Sequence, residues 1–290
     1  MKYEGDIIRP PSEAGSLLLQ VTVGCSHNKC SFCPAYKGKK FRIKSYDEIL
    51  EDIVEAGRCR SIEKVFLCDG DALIIPQDRL VEILGLIRTY IKGVKRVGTY
   101  ANAKSVLRKT IDELVELREL GLGIVYLGIE TGNDELLKKI RKGVTAAQIL
   151  EAGRRVKAAG ILLSVTVILG LGGIEQSAEH AADTAGILTD IDPDYASALT
   201  LMLMPGTPLH SEYASGRFVL PGKFDLLKEL GIIIETSDFS SCYFTSNHAS
   251  NYLPVKARLP EEKEKAVARI YDTIKKSDVT FLRAEFMRGF

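Results

Sequence analysis

Three of the chain's six cysteines fall within nine residues of "VTVGCSHNKCSFCPAY" (residues 21–36). Cys25, Cys30 and Cys33 are spaced C-x4-C-x2-C. Thiols so close together suggest metal binding or catalysis rather than disulfides. The intervening Ser-His-Asn-Lys is also too polar for three unrelated buried cysteines. From the spacing alone, two kinds of centre stand. A structural zinc site needs four ligands, and no second close pair of cysteines or histidines follows. An iron–sulfur site held by three cysteines leaves one iron open. His27 reads as a loop residue between the thiols. Cys68 and Cys59 read as buried residues, the first in a strand and the second in a helix or loop.

Other chemistry-bearing residues follow apolar runs. In "CDGDALIIP" (68–76), Asp69 and Asp71 offer carboxylates to a cation and Gly70 allows close backbone approach. Glu130 closes the apolar run "GIVYLGIE", which fits poorly with a merely solvated strand-end carboxylate. Ser164 and Thr166 share one face of a strand, and Lys157 precedes it. "GLGG" (170–173) fails as a dinucleotide fingerprint because Glu175 stands where the third glycine belongs, and no Walker A motif is present.

The elements that must position these residues alternate regularly. Residues 16–23, 64–68, 94–100, 123–130, 161–170 and 195–204 read as six strands, apolar enough to be buried on both faces and therefore parallel. Ser45 with Glu48, Thr110 with Glu113, and Thr145 with Gln148 have capping-box spacing at the starts of the intervening helices. Repeated right-handed β-α units collect chemistry at the carboxyl ends of the strands, which is where each polar segment lies. The expected fold is α/β, a partial (β/α)6 TIM-like barrel over residues 1–215, with a short helical and loop extension, residues 216–290, packed on it as a cap. That extension contains a polar-aromatic stretch with Cys242, Tyr243, Asn247, His248, Asn251 and Tyr252, read as a lid that supplies a hydrogen-atom or proton donor.

Composition narrows the function. With 39 Lys+Arg against 38 Asp+Glu, the chain has no general field to collect polyanions. The run Lys37, Lys39, Lys40, Arg42 and Lys44 reads as a solvated loop face. The amino-terminal stretch lacks a signal peptide's apolar centre, and no window approaches the ~20 apolar residues of a membrane span. A cytoplasmic location is expected, where thiols stay reduced.

A cysteine loop after the first strand of a six-fold β-α repeat resembles the radical S-adenosylmethionine superfamily, and the resemblance runs from about Leu17 to His210. It is similar to the radical core of coproporphyrinogen dehydrogenase and the tRNA methylthiotransferases. The commonest spacing in that superfamily has three residues between the first two cysteines, where this chain has four. The resemblance implies that Cys25, Cys30 and Cys33 hold a 4Fe–4S cluster whose open iron binds S-adenosylmethionine, with Phe32 near the adenine. It implies that Asp69, Gly70 and Asp71 bind the cofactor's amino group and Glu130 its ribose. Lys157 would meet its carboxylate, Ser164 and Thr166 the ribose, "GLGG" would frame the adenine, and "MPGTPLH" (204–210) would close the cleft.

The expected activity is therefore reductive cleavage of S-adenosylmethionine and hydrogen abstraction from a small or medium-sized substrate. Flavodoxin or ferredoxin would be the electron donor, Cys242 and His248 the substrate-side catalytic residues, and neither membrane nor nucleic acid is expected as a partner. Three other readings stand beside it: a non-catalytic iron–sulfur redox protein, a zinc-stabilised β/α module, and an RNA-modifying radical enzyme using the basic loop around Lys37 to Lys44.

Overall fold

All three capping boxes form. Ser45 Oγ accepts from the Glu48 amide at 3.2 Å while the Ser45 amide donates to Glu48 Oε2 at 2.6 Å. Thr110 with Glu113 and Thr145 with Gln148 repeat the exchange. Each pair satisfies two amides that the first turn of a helix leaves without partners.

The computed structural model describes residues 1–59 and 61–289. Its chain divides into two units: Met1–Asn28, Ala35–Leu127 and Glu151–Leu163 in the first; Lys29–Pro34, Gly128–Leu150 and Ser164 onward in the second. Residues 216 onward thus share a unit with residues 164–215.

The first unit contains β1 (Leu17–Gln20), β2 (Thr22–Val23), β3 (Arg42–Ile43), α1 (Tyr46–Ala56), β4 (Lys64–Cys68), α2 (Gln77–Tyr90), β5 (Arg96–Ala101), α3 (Ala103–Leu107), α4 (Ile111–Glu119) and most of β6 (Leu122–Glu130). Strands β1, β4, β5 and β6 pair in parallel in that order, with Leu19, Leu67, Thr99 and Val125 in one row. Val65, Phe66, Leu67 and Cys68 are all buried, as a strand covered on both faces requires. On one face, Phe66 and Cys68 pack with Ile124 and Tyr126, and Ile7 of the amino-terminal segment joins them. Fully buried Glu13 anchors that segment by accepting from Tyr126 Oη and Arg96 Nη2, each at 2.5 Å.

The second unit takes the end of β6, α5 (Asp134–Lys139), the start of α6 (Ala146–Ala158), most of β7 (Leu162–Leu169), α7 (Ser177–Ile191), β8 (Tyr195–Thr200), α8 (Pro208–Ala214), α9 (Lys223–Thr236), β9 (Cys242–Thr245), β10 (Lys256–Leu259) and α10 (Lys263–Lys276). Strands β7, β8 and β9 are parallel, with Thr166, Ser197 and Thr245 in register, and β10 closes antiparallel on β9. The α/β class with a mostly parallel sheet is as the sequence predicts.

Three local expectations are corrected. The sixth strand ends at Thr200, because the "MPGTP" turn starts early. The stretch read as one polar loop contains β9 and β10, four residues each, too short to show a period against their polar flanks. Cys59 is exposed, whereas Cys68 is buried as expected. Among the described residues, no helix is long and apolar enough to cross a membrane.

Candidate active site

In the first unit, the turn after β4 meets the start of the cysteine loop. Asp69 is fully buried; its Oδ2 accepts from the Gly24 amide at 3.0 Å and from Gln20 Nε2 at 3.0 Å. Among the described residues its Oδ1 has no hydrogen-bond partner, nor has the buried Tyr36 hydroxyl. Burial pushes the Asp69 carboxyl above its usual range, outweighing the donors that favour the charged form, and it pushes the Tyr36 phenol up as well. Gly70 lies between them and the loop. A Cβ at that position would stand 2.5 Å from Tyr36 Cε2 and 3.0 Å from Cys25 Cβ, so only glycine lets the turn approach the thiol.

Asp71 does different work. Its Oδ1 accepts from the Asn102 amide at 3.2 Å; its Oδ2 accepts from Asn102 Nδ2 at 2.6 Å and from Ser26 Oγ. Asn102 Nδ2 also donates to Ser26 Oγ at 3.2 Å. The carboxylate therefore clamps the residue after Cys25 to the end of β5. Ser26 and Asn102 escaped the sequence reading because both look like ordinary turn and cap residues.

Cys25, Cys30 and Cys33 are each partly buried. In the second unit the segment carrying Cys30 and Cys33 is held by its backbone: the Ser31 amide donates to Ile140 O at 2.9 Å, and the Leu209 amide donates to Ser31 O at 3.0 Å. Phe32 packs against the cluster of Ile140, Leu171, Leu201, Leu209 and Phe218. The apolar ring thereby pins the thiol-bearing turn.

Glu130 ends β6 with φ of 64°, a left-handed conformation that a non-glycine residue rarely takes outside a constrained site. Its Oε1 accepts from Lys142 Nζ at 2.6 Å. The two side chains are only about a tenth exposed. Lys142 was missed by the sequence reading, which favoured Lys157. Lys157 lies partly buried near the end of α6, in the first unit.

Along β7, Ser164 and Thr166 share a face with Ile168, and the register carries that face to Tyr195, Ser197 and Leu199 on β8 and to Tyr243 and Thr245 on β9. Ser197 Oγ and Thr245 Oγ1 are 3.0 Å apart. The face thus presents neutral hydroxyls. At its end Gly170 turns with φ of +86°, which favours glycine.

Cys242 alternates with these residues. It is 3% exposed and lies on the other face of β9 with Phe244, away from Thr245. Partly buried His248 follows β9 and accepts from the Ser250 amide at Nδ1, 3.2 Å away. Ser250 Oγ in turn accepts from the Thr200 amide at 3.1 Å, and Thr200 Oγ1 donates to Asn251 Oδ1 at 2.9 Å. The loop is fastened to the end of β8. Arg283 Nη1 donates to the carbonyls of His248 and Asn251, so the segment after α10 straps it down.

The basic run is only in part a solvated face: Lys37 and Lys40 are exposed, whereas Lys39, Arg42 and Lys44 are engaged. Lys44 is almost fully buried, 3.0 Å from Asp52 Oδ2, and donates to Lys2 O at 2.7 Å. Lys39 Nζ donates to Asp6 O at 3.2 Å, and Arg42 pairs with Glu4 and Glu48. These cations are spent on holding the amino-terminal segment.

The donor set fits the groups that the sequence resemblance implies. Three partly buried thiols are the ligand type of a cluster with one open iron, although among the described residues no group of three such side chains is placed so as to hold a metal ion. A buried carboxylate oxygen and a hydroxyl with no partner, set where a glycine admits the backbone, suit the polar end of a second ligand.

Comparison with known proteins bears on the family and the fold. The profile of the Radical SAM superfamily matches residues 19–185, more than half of the chain. The chain is 26% identical over 202 residues to 4'-phospho-dehydrooxetanocin synthase of Priestia megaterium, covering 61% of this chain and 27% of that protein. It is 29% identical over 198 residues to biotin synthase of Rickettsia felis, covering 68% and 62%. It therefore spans less than two thirds of either relative. Among solved structures, the coproporphyrinogen III oxidase of Escherichia coli superposes with a TM-score of 0.55 at 18% identity, over 74% of this chain and 51% of that one, which shows the shared fold.

Proposed function

The chain belongs to the Radical SAM superfamily, whose members use a 4Fe–4S cluster and S-adenosylmethionine, and from that premise we propose that it is an enzyme acting on a small or medium-sized polar substrate. Cys25, Cys30 and Cys33 hold the cluster. The observation that carries the reading is the pair of unpartnered buried atoms, Asp69 Oδ1 and Tyr36 Oη, beside a glycine that brings the β4 turn against Cys25.

The chemistry supplied by the bound groups is reductive cleavage of S-adenosylmethionine to methionine and a 5′-deoxyadenosyl radical, which takes hydrogen from a substrate. The protein's part is positioning and exclusion of water. Asp69 Oδ1 receives an ammonium, while Asp71 holds Ser26, and with it the start of the cysteine loop. Glu130, oriented by Lys142, accepts from ribose hydroxyls; Lys142 also supplies a cation for a carboxylate, a role the sequence reading gave to Lys157. Phe32 and the Gly170 turn flank the adenine. Ser164, Thr166, Ser197 and Thr245 line a neutral hydroxyl face for the nucleoside and substrate. His248 is the polar group offered from the β9–β10 connection. Cys242, on the opposite face of β9, takes no part. An acidic flavodoxin or ferredoxin serves as electron donor.

RNA modification is the weaker alternative, because Lys39, Arg42 and Lys44 are bonded internally. The test is anaerobic reconstitution with iron and sulfide, followed by dithionite and S-adenosylmethionine. 5′-Deoxyadenosine from the wild type but not from Cys30→Ala is the expected result. Failure to assemble a cluster, with zinc bound in its place, overturns the proposal.

A further inference from the structure

Two titratable side chains of the second unit are buried completely and are used by nothing described above. His180 on α7 is 0% exposed and Glu229 on α9 is 1% exposed. A buried polar pair must be desolvated on folding and stabilises little beyond what apolar residues of similar volume would give. Its retention calls for a reason in what it holds.

What it holds is the ends of two strands. Glu229 Oε1 accepts from the Gly170 amide at 2.7 Å, in the turn after β7, and Oε2 accepts from Ser177 Oγ at 2.6 Å, at the start of α7. His180 Nε2 faces two acceptors, Ile168 O at 3.1 Å and Glu229 Oε1 at 3.3 Å, so this nitrogen carries a proton. Nδ1 faces the hydroxyls of Thr131 at 2.8 Å and Thr184 at 3.3 Å. Thr131 directly follows Glu130, and its Oγ1 accepts from the Asn133 amide at 3.0 Å. Thr184 Oγ1 accepts from the Gly132 amide at 3.2 Å. The network therefore runs from the Glu130 corner, with its φ of 64°, to the Gly170 turn, with its φ of +86°. Each corner is closed by its own turn, the Thr131 amide donating to Ile129 O at 2.8 Å and the Gly173 amide to Gly170 O at 3.1 Å, and the network ties the two turns together.

We propose that His180 and Glu229 are positioning residues that lock the Glu130–Asn133 corner to the Gly170–Gly173 turn, so that the two walls receiving the cofactor's nucleoside are set before it binds. This inference rests on the reading that these strand ends bind S-adenosylmethionine. Neither residue touches the ligand. A satisfied buried network fixes one geometry, and a site fixed in advance loses less on binding.

The test uses the full chain with its cluster reconstituted, S-adenosylhomocysteine as a probe that is not cleaved, and the variants Glu229→Ala, Glu229→Gln and Thr131→Val. Glu229→Ala should weaken calorimetric binding of the probe about tenfold, the size of one lost anchoring hydrogen bond. Amide exchange should quicken at residues 168–173 while residues 195–200 of β8 keep wild-type protection. Glu229→Gln, whose carbonyl still accepts from Gly170, should recover most of the affinity. Thr131→Val should quicken exchange at residues 130–133 and weaken binding in the same direction; it decides the matter if Glu229→Ala does not fold. Wild-type affinity and exchange in a folded Glu229→Ala or Thr131→Val overturn the inference, as does lowered stability with affinity unchanged. A wild type that assembles its cluster yet does not bind the probe overturns the enzymatic reading instead.

Discussion

Lys142 Nζ stands 2.6 Å from Glu130 Oε1, twelve residues away in sequence, with both side chains nearly out of water. The pair turns a strained strand end into a fixed carboxylate. Removing the cation alone leaves a buried charge unpaired. Lys142→Met is expected to cost about 3 kcal/mol in urea unfolding, and adding Glu130→Gln should restore part of it. A Lys142→Met variant as stable as the wild type would mean that the pair is solvated after all.

Asp71 carries three donors from two partners, Ser26 and Asn102. Asp71→Ala strands those donors and releases the residue beside Cys25. We expect a loss of about 2 kcal/mol, together with faster loss of iron to a mild chelator than in the wild type. Asp71→Asn should not rescue iron retention, because its amide can only donate towards Ser26 or Asn102 at one of the two oxygen positions. Unchanged iron retention in both variants would reduce Asp71 to a turn residue.

The same contrast explains what could be read in advance. The strands and capping boxes were legible because their signals are local: apolar runs such as "KVFLC" and pairs three residues apart such as Thr110 with Glu113. Pairings between distant segments were not. Glu229 sits in a helix whose pattern gives no sign that its carboxylate turns inward to Gly170. Lys142 was hidden for a related reason, since a lysine after a helix ordinarily faces water, and Lys44 likewise looked like one more residue of a solvated run. Strands β9 and β10 were lost because four residues carry too little period to outweigh polar neighbours.

Lys44 gives a test of the nucleic-acid alternative. Its ammonium is buried against Asp52, so Lys44→Met should destabilise the fold by about 3 kcal/mol. Titrating single-stranded RNA at several salt concentrations should show weak binding with little salt dependence, because within the basic run only Lys37 and Lys40 are exposed to release counterions from phosphates. Tight binding that weakens steeply with salt would reverse that conclusion and restore an RNA substrate.

His248 makes the carboxyl end of the sheet sensitive to acid, with a definite sign. Burial, and secondarily the charge of Arg283, hold its pKa below the ordinary histidine value. Its Nδ1 accepts the Ser250 amide, a bond that only the unprotonated nitrogen can make. As pH falls through the ordinary value of about 6.5, the unfolded chain takes up a proton that the folded one refuses. Stability from this residue is thus fully present above that pH and is lost as pH falls on through the depressed folded value. The loss should be under about 1 kcal/mol, since the ring is only partly buried. Because Ser250 Oγ also accepts from the Thr200 amide, exchange at the end of β8 should quicken over the same interval. Unfolding free energies of the wild type and His248→Gln from pH 8 to pH 5 check this. The wild type should lose stability relative to the variant on acidification, and parallel curves would show that His248 contributes nothing to the pH dependence.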